Sequence, residues 1–160
     1  MTSPEKVLEL LQTHAQSFSA AVASNEGDWI IKGFIDIYKR IYTISIDTKV
    51  ISKVLELLLF PMFVSFAKEH GLELELSPQQ NFYPDLTLTD PKTGNKFAID
   101  IKSTYRIDNE NINGMTLGAF TGYFRTRTSR KNTLYPYGAY SKHLVLGVIY
   151  SQSSEAADER

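Results

Sequence analysis

The 160-residue sequence contains no cysteine, which excludes disulfide frameworks and thiolate zinc sites and suits a reducing compartment. Neither charge is in excess. With 17 Lys and Arg against 18 Asp and Glu, net charge alone points to no nucleic-acid or membrane partner. Long uninterrupted apolar runs are also missing. The nearest to one, VLELLLFPMFVSFA, carries Glu56 and is broken by Pro61, and no basic stretch followed by an apolar one opens the chain. The expectation is a soluble, cytoplasmic protein without a membrane span. There is no Gly-x-Ser-x-Gly elbow and no Gly-x-x-x-x-Gly-Lys-Ser/Thr phosphate loop. His14, His70 and His143 fall in three separate segments without an i, i+4 pair, and are read as surface or capping histidines rather than metal ligands.

What is present is ordinary globular composition, 42% hydrophobic and 22% charged, over a length suited to one core. The pattern predicts a single domain over 1–150, with an N-terminal helix (1–28), a hairpin (29–46) and a core (47–150), then a polar tail (151–160). Ser3, Pro4 and Glu5 read as an N-cap, an N1 proline and a first-turn acid, and Val7, Leu11, Phe18 and Val22 supply an apolar stripe ending near SNEGD. WIIKGFIDIYKRIYTIS, interrupted by Lys39 and Arg40, reads as a core hairpin. Asp47 caps a predicted second helix with a Val50, Val54, Leu57, Leu58 stripe; Pro61 should kink or split it, and Gly71 should stop it. LELEL, DLTLT and KFAIDIKST then read as strands, and HLVLGVIY as a buried one.

The chemistry concentrates in NFYPDLTLTDPKTGNKFAIDIKS, residues 81 to 103. Its second half alternates as a half-buried strand would, with Phe97, Ile99 and Ile101 on one face and Ala98, Asp100 and Lys102 on the other. A strand starting at Asp85, a turn at DPKTGN and the partner strand would bring Asp85 and Asp100 together. Two carboxylates suit a hard cation such as Mg²⁺, whose remaining shell is water and phosphate oxygen, and an adjacent ammonium suits the charge that develops in phosphodiester hydrolysis. Spacing alone leaves a second reading standing, a solvated Asp–Lys pair worth only about 0–1 kcal/mol. Arg125, Arg127, Arg130 and Lys131, with no acid among them, form a candidate phosphate-binding patch or a solvated basic loop.

Pro84-Asp85 followed by Asp100-Ile101-Lys102 resembles the PD-(D/E)XK nuclease signature. IDTKV, KEHG, QQNFYPDLTL, AIDIKSTY, TLGAFT, YPYGAY and GVIY are similar, in order and spacing, to the EcoRV-type family of type II restriction endonucleases, from about Gly33 to about Tyr150. The resemblance implies an α/β, restriction-endonuclease-like mixed β-sheet flanked by helices, and a homodimer that cuts double-stranded DNA with Mg²⁺. By position it implies that Asp85 and Asp100 are metal-binding carboxylates, Lys102 is the catalytic lysine and Glu56 is an auxiliary metal-binding glutamate. It places Gln79, Gln80 and Asn81 in a loop that approaches the minor groove, and the hairpin at a dimer contact. Such enzymes carry a long portion after the strand matching HLVLGVIY, including the loop that reads the major groove, so reduced base discrimination is expected here. A non-catalytic DNA-binding or dimerising remnant and a repair-type or structure-specific nuclease of the same fold remain alternatives.

Overall fold

The computed structural model describes residues 3–31, 33–43, 48–79, 81–115 and 122–151. Helix α1 (Pro4–Ala20) starts as its sequence predicts: the Ser3 hydroxyl accepts from the Lys6 amide, Pro4 opens the helix, and Val7 and Phe18 are buried. It ends a few residues before SNEGD. Strands β1 (Gly33–Ile35) and β2 (Ile41–Thr43) form the antiparallel hairpin, with Phe34 opposite Tyr42.

Helix α2 (Thr48–His70) runs through Pro61 without a break. Pro61 and Leu57, the residue whose carbonyl loses its helical donor to the proline, both lie on the exposed side. The buried stripe is Ile51, Leu55, Leu59 and Phe63, stepping by four, with Val54, Phe66 and Ala67 beside it. Leu57, expected in that stripe, is 65% exposed, because it sits between two steps of the true stripe. By length and composition alone α2 could span a bilayer, but its stripe packs with Leu86, Leu88, Phe97 and Ile99 in the core. Gly71 at φ 65° ends the helix as expected. The Asp47 cap and the tail from 152 lie outside the described residues.

Strands β3 (Glu73–Leu76), β4 (Leu86–Thr89), β5 (Lys96–Tyr105) and β6 (Lys142–Tyr150) form one sheet in that order. The β3–β4 and β4–β5 pairs are antiparallel and β5–β6 is parallel, so the chain is a mixed α/β fold with a helix-flanked mixed sheet. Strand β6 departs from the buried-strand expectation. Among the described residues it is an edge strand, whose Val145 and Ile149 are 56% and 46% exposed, while Leu144, Leu146 and Val148 pack on the core. Strand β5 departs in the other direction, since Ala98 and Asp100 on its supposedly wet face are also buried. The cover comes from α3 (Gly122–Arg125), which buries Tyr123, and from the segment between α3 and β6, which buries Tyr140.

Candidate active site

The β4–β5 register pairs Leu86 with Ile99, so one step outward Asp85 and Asp100 stand opposite each other. Asp85 replaces a ladder carbonyl with its side chain: its Oδ2 accepts the Ile101 amide at 2.6 Å. On the far side of Asp100, Lys102 Nζ lies 2.5 Å from the Asp100 carboxylate. The alternation of a strand therefore turns three residues separated in sequence into one contiguous acid–acid–ammonium row.

Burial pushes the Asp85 carboxyl up to about 6, and the Asp100 and Glu56 carboxylates push the same way against the Ile101 hydrogen bond and the Lys102 charge. A half-buried carboxyl beside further carboxylates is electrostatically unfavourable unless cationic charge is brought to it. The donor set is all oxygen, as a hard divalent cation requires, so these residues fit Mg²⁺. Asp85 and Lys102 line a cleft of about 350 Å³ together with Glu56, Ser52, Ser103, Thr104, Tyr105 and Asn113. Glu56 reaches it from α2 but turns one oxygen to Lys53 Nζ at 2.6 Å, which leaves it on the rim. The Ser52 and Ser103 hydroxyls, 2.7 Å apart, tie α2 to β5 beside it.

The other expected contact residues do not line this cleft. Arg125, Arg127, Arg130 and Lys131 are exposed on α3 and the turns after it, as are Gln79 and Asn81 in the loop before β4. Gln80 and the TLGAFT segment (116–121) lie outside the described residues. The basic segment is nevertheless anchored to the site: the Tyr83 amide donates to the Asn132 carbonyl and the Leu134 amide to the Tyr83 carbonyl, both at 2.9 Å.

Composition alone did not reveal a layer of aromatic rings behind the carboxylates. Tyr83 stacks on Tyr123 at 4.9 Å, and Tyr137 on His143 at 3.6 Å. The His143 ring donates from Nε2 to the Tyr137 carbonyl at 3.1 Å, so its Nδ1 accepts the Tyr83 hydroxyl at 2.7 Å. Burial lowers the His143 pKa, with the Arg127 charge adding to it, consistent with this neutral ring. Burial likewise raises Tyr140 to about 12, and its hydroxyl meets Thr87 Oγ1 at 3.1 Å. The close tyrosine spacing of YPYGAY was the available signal. The layer keeps water from the back of Asp100, which strengthens every charge interaction in front of it.

The family model described as restriction endonuclease EcoRV matches residues 25–160. The chain belongs to the EcoRV restriction endonuclease family. The type II restriction enzyme EcoRV of Escherichia coli is 42% identical over 122 residues, which are 75% of this chain and 49% of that protein. This EcoRV-family chain thus spans about half the length of the curated relative it matches.

Proposed function

We propose that the chain carries the catalytic site of a Mg²⁺-dependent type II restriction endonuclease that hydrolyses phosphodiester bonds in double-stranded DNA. The observation that carries this reading is the facing of Asp85 and Asp100 across the β4–β5 register with Lys102 beside them, in a chain of the EcoRV family. Asp85 and Asp100 would hold the Mg²⁺, with Glu56 at the rim. Bound there, the ion would neutralise phosphate charge and make a water more acidic.

The remaining chemistry belongs to the side chains. The Ile101 amide fixes one Asp85 oxygen, so that carboxylate presents its other oxygen without a rotamer search. Lys102, a pure donor, orients the attacking water by donating an N–H to its oxygen, and it offsets the charge growing on the phosphoryl oxygens. Arg125, Arg127, Arg130 and Lys131, with Gln79, Gln80 and Asn81, are assigned to the DNA: the cations to phosphates, the amides to the minor groove. The exposed Phe34, Ile35, Ile37, Tyr38, Ile41 and Tyr42 of the hairpin favour a homodimer joined there, and the setting is cytoplasmic.

The test is conversion of supercoiled plasmid to nicked and linear forms at low salt with Mg²⁺. Cutting by the wild type that is lost in Asp100→Ala and in chelator supports the reading. Folded wild-type protein that binds DNA in a salt-sensitive way without breaking a strand contradicts it and leaves a binding remnant. A preference for branched or mismatched DNA over plain duplex shifts it to a structure-specific nuclease.

A further inference from the structure

Far apart in sequence, His14 and His70 meet where α1 crosses the end of α2. Their rings pack edge to face at 5.2 Å, and both contact the Phe66 ring. Glu69 completes the group: its Oε2 is 3.7 Å from His14 Nε2, and its Oε1 is 4.0 Å from His70 Nε2. The three ligand atoms lie within 4.8 Å of one another.

The protonation pattern is the one a ligand set needs. His14 Nδ1 lies 2.8 Å from the Leu10 carbonyl, which only accepts, so in the neutral ring Nδ1 carries the proton and the Nε2 lone pair faces Glu69. Metal-ligating histidines are usually held in this way, with the other nitrogen donating to a backbone carbonyl. His70 Nε2 is buried and has no hydrogen-bond partner among the described residues, an unfavourable state that a bound cation would relieve. Tetrahedral ligands about 2.0–2.1 Å from zinc stand roughly 3.3 Å apart, so the group needs only small side-chain closure.

We propose that His14, Glu69 and His70 bind a transition-metal cation of the Zn²⁺ class, distinct from the carboxylate site and joining α1 to the C-terminal end of α2. Two imidazoles and one carboxylate select such an ion over Mg²⁺, which prefers all-oxygen shells, and leave a fourth position for water. The inference does not depend on whether the chain cuts DNA.

The test is titration of the purified full-length chain with Co²⁺, whose visible absorption reports tetrahedral coordination, followed by displacement with Zn²⁺. Performing it in an Asp85→Asn, Asp100→Asn background removes the carboxylate site from the signal. One equivalent bound in that background, with affinity falling at least tenfold in His14→Ala and in His70→Ala, is the expected result. Zn²⁺ should also raise the melting temperature of the parent and leave that of His14→Ala unchanged. His14→Gln, on a partly exposed helix face, decides the matter where His70→Ala does not fold. Zn²⁺ affinity unchanged by substitutions at His14, or no Zn²⁺ binding by the parent, overturns the proposal.

Discussion

The β4–β5 pair and the β1–β2 hairpin are both antiparallel, and their surroundings differ completely. Around β4 and β5 both faces are closed by the chain itself, with Phe97 and Ile99 against the helices and Ala98, Thr87 and Asp100 under the tyrosine layer. The hairpin is shaped just as firmly at its turn. The Asp36 carboxylate accepts from the Tyr38 and Arg40 amides and the Tyr42 hydroxyl at 2.8, 2.9 and 3.0 Å. Yet its large apolar side chains point into solvent, Ile37 at 89% exposure and Ile41 at 77%. A site that acts through charge must exclude water by its own means, whereas a surface that acts by docking must stay uncovered until its partner arrives.

Four substitutions probe that contrast. Asp100→Ala is expected to lower plasmid cleavage about 10⁴-fold, about 5.5 kcal/mol of barrier, with the circular dichroism spectrum unchanged. Tyr140→Ala attacks the cover instead of the site. Removing this ring, 7% exposed, should cost about 3–5 kcal/mol in urea unfolding and weaken cleavage indirectly.

Asp85→Asn separates stability from activity. The folded Asp85 carboxyl titrates near 6, above its ordinary 3.8, so between those values the folded state holds the proton that the unfolded state has lost. Wild-type stability therefore falls as pH rises through that window and stays lower above it. In chelator, Asp85→Asn should match the wild type near the bottom of the window and exceed it by about 3 kcal/mol above the top, by urea unfolding across pH. The same variant should not cleave. Ile37→Asp gives the smallest effect on folding, within about 0.5 kcal/mol, because the side chain is already in solvent. It should weaken dimerisation about tenfold in sedimentation equilibrium, about 1.4 kcal/mol. An unchanged dimer would mean that the hairpin's exposed apolar side chains do not carry the contact.

Local pattern carried the parts of the fold that depend on local rules. The Ser3 cap, the Gly71 stop and the facing of Asp85 with Asp100 each follow from a few adjacent residues and a short turn. The errors lie where distant segments decide. Ala98 and Asp100 read as a wet face because their cover, Tyr123 and Tyr140, comes from further along the chain. The α2 stripe was misplaced at Leu57 because an apolar run around Pro61 offers several helical faces, and only packing against the sheet selects one. The hairpin read as core because its β-branched and aromatic residues suit burial, whether within the chain or against a partner. His14 and His70 looked scattered because no sequence period links α1 to the end of α2.

Asp100 on β5 is buried and Asp85, just before β4, is half-buried beside it, an arrangement suited to a divalent cation. The most direct measurement is ¹³C NMR titration of the Asp85 carboxyl, first in chelator and then with Mg²⁺. The structure predicts a midpoint of about 6 without the ion and a large downward shift with it. A midpoint at the ordinary aspartate value, unmoved by Mg²⁺, would mean that Asp85 neither feels its neighbouring carboxylates nor holds the ion.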